Sequence, residues 1–270
     1  MYDVRDKVVF VTGGAAGIGA GIVEAFLDGG ARHVAALDVD IKSGQALEKE
    51  LTVKYGENKV KFHKCDVTTN ELDAAYDNVV KDFQYIDVVV NSAGLMNDRP
   101  NVYLKEIEVN VSALIKSSFK AFELMRKDNG GKGGTIINIS SIVGLFQGHL
   151  LPVYTATKSA VLQFSNCLGM DPHYTRSDVR VLTLCFGCTD TSLFSPTKMG
   201  GFDGATDELL LASMGKMPMQ KPESAVEGLM HAFKHGVSAS TWLVTSERPA
   251  EDISGNVTKA YQIMSQGVFT

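Results

Sequence analysis

Val8-Val9-Phe10-Val11-Thr12-Gly13-Gly14-Ala15-Ala16-Gly17-Ile18-Gly19 is the stretch whose reading decides the fold. An unbroken apolar run rich in β-branched residues suits a strand buried on both faces, as in a parallel sheet. The glycines then turn the chain into a helix. Glycine accepts backbone angles closed to other residues and lets a ligand come close to the main chain. The helix start offers unpaired N–H groups and the positive end of its dipole, which suit a pyrophosphate. A triphosphate-cradling loop would place Lys after its last glycine, and none follows Gly17 or Gly19.

Working outward, further apolar runs fall at 34–38, 60–65, 88–91, 135–140, 179–186 and 242–245, with helix-length segments between them. Thr69 or Asn70 is placed to cap the helix over 71–83. This alternation predicts one doubly wound α/β (Rossmann) domain over residues 1–270, with a parallel sheet of about seven strands. Residues 191–222 break the rhythm with three Pro, a Gly200-Gly201 pair and four Met. An excursion of that length is expected to be a lid within the domain, with a short helix over 207–214.

The chain has 270 residues, 44% of them apolar, which is ample for a large core. With 26 Lys and Arg against 31 Asp and Glu, its net charge of −5 argues against nucleic acid or an anionic membrane as partner. No apolar stretch reaches the ~20 residues of a membrane span, and the start lacks a signal-peptide pattern. A cytoplasmic location is expected. Cys65, Cys167, Cys185 and Cys188 are too few for a disulfide framework. The pair Cys185 and Cys188 is read as buried strand-end thiols. The six His show no metal-binding spacing, so no metal site is expected.

Asp38 ends the second strand about 20 residues beyond the last glycine, where a carboxylate can bind ribose hydroxyls. It would repel a 2′-phosphate, so NAD is expected rather than NADP. Asp66 and Val67 end the third strand and suit an adenine, and Asn91, Ala93 and Gly94 end the fourth. Tyr154 and Lys158 stand four apart at the start of a helix and share a face. A free phenol titrates near ~10, and a neighbouring ammonium favours its ionised form.

Taken together, these motifs resemble those of the short-chain dehydrogenase/reductase family, from Lys7 to about Thr245. The family's TGxxxGxG is met by Thr12, Gly13, Gly17 and Gly19, and its NNAG by Asn91-Ser92-Ala93-Gly94. Its YxxxK is met by Tyr154 and Lys158, its catalytic Ser by Ser141, thirteen residues before Tyr154, and its active-site Asn by Asn110. The texture is similar to the branch of 15-hydroxyprostaglandin and insect alcohol dehydrogenases. The resemblance implies that Tyr154 exchanges the alcohol proton and that Lys158 lowers its pKa and holds the nicotinamide ribose. It further implies that Ser141 bonds the substrate oxygen and that Asn110 holds a water linking Lys158 to solvent. Thr12, Gly13, Gly17, Ile18, Gly19, Asp38, Asp66, Val67, Asn91, Ala93 and Gly94 would then line the NAD site, with Gly187, Thr189 and Thr191 at its nicotinamide end. Phe186 departs from the family by standing where Pro is usual, which puts that end of the pocket in question.

The implied activity is NAD-dependent oxidation of an alcohol to a carbonyl. A biosynthetic carbonyl reductase and a non-catalytic NAD-binding sensor are the alternatives. Residues 144–153 are mainly apolar, and the lid offers Leu193, Phe194, Met199, Phe202, Leu209, Met214, Met217 and Met219. A medium-to-long apolar alcohol or carbonyl compound, linear, terpenoid or prostanoid-like, is therefore the expected substrate. Family habit implies a homodimer or homotetramer.

Overall fold

The computed structural model describes residues 1–214 and 216–268. β1 (Val8–Thr12) leads into α1 (Gly17–Asp28), β2 (His33–Asp38) into α2 (Ile41–Tyr55), and β3 (Val60–Lys64) into α3 (Glu71–Phe83). After β4 (Val88–Asn91), α4 (Tyr103–Ile107) passes through a π-helical turn at Glu108–Ala113 into α5 (Leu114–Met125). β5 (Gly134–Ser141) is followed by α6 (Pro152–Gly169) and α7 (His173–Ser177). β6 (Val179–Phe186) opens the long excursion, which contains α8 (Gly204–Met214). The chain then runs through α9 (Pro222–His235), β7 (Ser240–Val244), β8 (Glu251–Asp252) and α10 (Ser254–Met264).

The strands form one sheet in the order β3-β2-β1-β4-β5-β6-β7-β8, all parallel except β8, which runs antiparallel to β7. Eight strands replace the expected seven. β8 is two exposed acidic residues with no apolar run, so nothing local announces it. The end of the sheet also shifts by two residues, because β7 begins at Ser240 rather than Trp242. Asn70 stands at the start of α3 without a side-chain cap, and the Thr69 hydroxyl accepts from Glu71 N instead (3.2 Å).

Unbroken apolar runs are required because both faces of the sheet are covered. Val9 and Val11 of β1 pack with α1, α2 and α9, whereas Val8 and Phe10 pack with α3, α5 and α6. A third, smaller cluster joins Met96, Leu151 and Tyr154 to Met199 and Leu210 of the excursion. Among the described residues, no helix is long and apolar enough to cross a membrane.

Phe26 is fully buried on α1 and meets Phe233 of α9 edge to face at 5.4 Å. Phe26→Ala is expected to lower the free energy of unfolding by about 3–5 kcal/mol, read from denaturant melts.

Candidate active site

The glycine turn closes against its neighbours more tightly than any side chain permits. Gly13 has φ +67°, and a Cβ there would lie 2.8 Å from the Ala93 backbone. A Cβ on Gly19 would lie 1.9 Å from the Gly13 carbonyl oxygen. The Thr12 hydroxyl accepts from Ser92 N (3.1 Å) and Ala93 N (3.2 Å), tying the end of β1 to the end of β4. Asp38 accepts from Ala15 N (3.1 Å), so the end of β2 braces the same turn. Ala16, at the start of α1, provides no side-chain cap. The first-turn amides are therefore left for an outside acceptor, which fits a bound pyrophosphate.

Other expected residues reach the same crevice. Thr12, Val67, Asn91 and Ala93 line one small gap, into which the buried Asn91 side chain brings an oxygen with no protein donor among the described residues. Gly17 approaches Thr191, whose methyl group would lie 3.2 Å from a Cβ at Gly17. Gly187 is packed on Thr245, where an added Cβ would come within 2.0 Å of the hydroxyl. Thr189 is buried and bonded to the Gly187 carbonyl (3.0 Å). Asp66 is already engaged: one oxygen accepts from Thr68, the other from Lys105 at 3.3 Å. Phe186 continues β6 in register with Ser141 and Val244, and its carbonyl accepts from the Ser141 hydroxyl (3.3 Å).

Tyr154 and Lys158 lie buried on α6, the ammonium 5.6 Å from the phenol ring centre. Burial pushes the phenol upward from its ordinary value, and the Ser141 hydroxyl facing it works the other way. Burial brings the Lys158 ammonium down to about 8, against the attraction of Glu106. Lys158 donates to the Ile139 carbonyl at 3.0 Å. A Cβ on Gly94 would stand 3.4 Å from the Asn110 amide oxygen and 3.7 Å from Lys158 Nζ, so these two side chains flank one glycine. Asn110 sits in the π-helical turn, a departure from the α-helix found often at functional sites. Its side chain accepts from Leu95 N (2.8 Å) and donates to Leu95 O (2.8 Å) and Thr157 Oγ1 (3.1 Å). Both amide hydrogens are thus committed, which leaves only oxygen lone pairs for a water.

Sequence reasoning missed Asp98, Glu106 and Gln220. The carboxylate of Asp98 accepts from Val153 N (2.6 Å) and Tyr154 N (3.0 Å) at the start of α6. Pro152 has no N–H, and Thr155 N already reaches Leu151 O, so Asp98 takes the two open donors of the first turn. Gln220 is buried at the neck of the excursion and donates to Thr189 Oγ1 and the Val244 carbonyl, both at 3.1 Å. Asn97-Asp98-Arg99-Pro100 reads locally as a turn, and nothing in it signals a helix more than fifty residues later.

The excursion is fastened at its far side too. Asp98 N donates to Gly200 O (2.7 Å), and Arg99 pairs with Asp207 (3.3 Å). Of the expected lid residues, Leu193, Phe194, Met199 and Met214 pack around Tyr154 and Leu151, while Phe202, Leu209 and Met219 face solvent. Met217 touches Cys188 at 3.5 Å. Cys185 is buried as expected, but Cys188 lies past the strand and is only half-buried. Among the described residues, no group of three or more His, Cys, Asp or Glu is placed to hold a metal ion.

A crevice at the carboxyl ends of a parallel sheet, with a glycine turn on one side and a buried Tyr–Lys couple on the other, defines a nucleotide-dependent oxidoreductase of the α/β class. Residues 7–199 match the family model described as short chain dehydrogenase. The chain belongs to the short-chain dehydrogenase family. It is 33% identical over 236 residues to the rat (Rattus norvegicus) 15-hydroxyprostaglandin dehydrogenase [NAD(+)], covering 86% of this chain and 87% of that one. It is 39% identical over 193 residues to alcohol dehydrogenase 1 of Ceratitis cosyra, covering 70% and 73%. In fold it matches the 3-ketoacyl-(acyl-carrier-protein) reductase of Brucella melitensis, solved with NADH. The TM-score is 0.75 at 20% identity, over 90% of this chain and 98% of that one.

Proposed function

We propose that the protein oxidises an apolar alcohol to its carbonyl, with NAD as hydride acceptor, in the cytoplasm. The observation that carries this reading is the buried convergence of Tyr154, Lys158 and Ser141 beside a crevice whose glycine turn leaves amides free. It is supported by the printed names of two relatives, one an NAD(+) dehydrogenase of a hydroxylated lipid and one an alcohol dehydrogenase. A sensor without turnover would have no use for a buried ammonium held beside a buried phenol, since both are costly to desolvate.

Bound in the crevice, NAD supplies the acceptor for the substrate's hydride. Gly13, Gly17, Ile18 and Gly19 would hold its pyrophosphate with main-chain amides, and Asp38 its adenosine ribose. Tyr154 takes the proton from the substrate hydroxyl, and the Lys158 charge favours the phenolate that this requires. Ser141 donates a hydrogen bond to the same oxygen as charge develops on it. Asn110 contributes an oxygen acceptor for a water beside Lys158. Residues 191–222 act as a lid, with Gln220 at its neck and Arg99–Asp207 at its far side. Assembly as a homodimer or homotetramer belongs to the same reading, and Leu104, Ile107 and Phe119 expose an apolar strip along α4 and α5 for it.

Asp38 stands where a 2′-phosphate would meet like charge, so kcat/KM with NAD should exceed that with NADP by at least ~10-fold. Equal use of both cofactors would remove Asp38 from that role.

Tyr154→Phe deletes one oxygen, so NADH binding followed by fluorescence should persist while turnover falls by orders of magnitude. A variant within a few-fold of wild type would exclude Tyr154 as the acid–base. Because burial raises the phenol, wild-type oxidation should also climb as pH rises through its titration.

Each methylene buried under the lid adds at most ~0.8 kcal/mol, so kcat/KM should rise along a homologous series of alcohols. A flat series, with sugars or hydroxy acids turned over faster, refutes the apolar-substrate reading.

A further inference from the structure

Two buried carboxyl groups stand next to the Tyr154–Lys158 couple, and the chemistry above uses neither. Asp98 is 1% exposed and Glu106 is not exposed at all. Asp98 caps α6 through Val153 N and Tyr154 N, a duty that Leu151, at the usual capping position, cannot perform. Glu106, on α4, has neither carboxyl oxygen hydrogen-bonded by a donor from any described residue. Its carboxyl lies against that of Asp98.

The charged surroundings leave this pair without a counter-ion in contact. From the segment after β4 the facing group is Asp98, and from α6 they are Lys158, at longer range, and the Tyr154 phenol. On the same helical stretch, Lys105 is exposed and pairs with Asp66 and Glu108. Arg99 is spent on Asp207. Two touching carboxylates in a dry site with no bound cation do not both ionise; one keeps a proton and donates it to the other. Asp98 receives two main-chain N–H bonds, which favour the anion, and Glu106 receives none, so the proton belongs on Glu106. Burial, followed by the Asp98 charge, pushes the Glu106 carboxyl up to about 8, in line with that assignment.

We infer that Asp98 and Glu106 are positioning residues for Tyr154. Ionised Asp98 pins the first turn of α6, and protonated Glu106 bonds to it and limits the pair to one negative charge. The inference rests on the reading of Tyr154 as the acid–base. It explains how the phenol can sit beside two acids and still ionise in the working range. A second negative charge there would raise the phenol further.

The test has two arms. In the first, the intact protein carrying 13C-labelled glutamate carboxyls is titrated by NMR. One signal should titrate near pH 8, vanish in Glu106→Gln and move toward the ordinary carboxyl range in Asp98→Asn. A protein whose glutamates all titrate in the ordinary range overturns the shared proton. This arm needs no turnover, so it decides the pair even if the protein oxidises no alcohol and the functional reading itself fails.

The second arm is the pH profile of alcohol oxidation. Glu106→Gln should leave the ascending limb in place, because Asp98 still carries the single charge. Asp98→Asn should lower kcat by roughly tenfold or more with NADH affinity unchanged, because the cap is weakened. The double variant, with no charge left, should shift the ascending limb to lower pH by half a unit or more. A merely structural pair would lose melting temperature in all three variants and move no limb. That result, or a Glu106→Gln shift equal to that of the double variant, would overturn the assignment.

Discussion

The site depends on β1 having β2 on one side and β4 on the other. Parallel strands need crossovers, and the connections leaving these neighbours go to opposite faces of the sheet. The loops at the carboxyl ends of β1 and β4 therefore part, and a crevice opens where they diverge. Only glycine can line its floor. Gly13 must pass within contact of Ala93, and Gly19 within contact of Gly13, for the ends of β1 and β4 to meet through Thr12.

Opposite that floor, α6 presents a phenol and an ammonium to a dry interior. Desolvation acts in opposite directions on the two groups, raising the tyrosine and lowering the lysine. Their proton affinities are thereby set by the packing of α6 on the sheet and by the third apolar cluster, to which Tyr154 itself belongs. The fastening at 97–99 links these matters. Asp98 holds the start of α6 with its side chain and the excursion with its main chain, and Arg99 adds a tie to Asp207. A single short segment thus registers the excursion against the helix that bears the phenol.

Most of the fold was legible in the chain because its signals are local. Runs such as those at 8–12, 88–91 and 179–186 coincide with β1, β4 and β6, since a strand covered on both faces admits almost nothing polar. The motif residues Ser141, Tyr154 and Lys158 could be named from their order and spacing. β8 escaped notice because its two acidic residues pair only through main-chain geometry. Asp98 and Glu106 escaped because an acidic residue in a polar turn or on a helix ordinarily faces water, and no local pattern shows one being buried.

By itself the sequence determined the parallel sheet, the glycine turn after its first strand and the helix that carries tyrosine and lysine four residues apart. Those features follow from backbone sterics and from periodic burial, which act over a few residues. Tertiary structure alone decided which donors Asp98 meets, that Glu106 is enclosed beside it, and that Met199 and Leu210 pack toward Tyr154 while Leu209 does not. Such contacts depend on how segments far apart in the chain come to rest against one another. Burial then sets charge and proton affinity through the whole surroundings of a group, not through its neighbours in sequence.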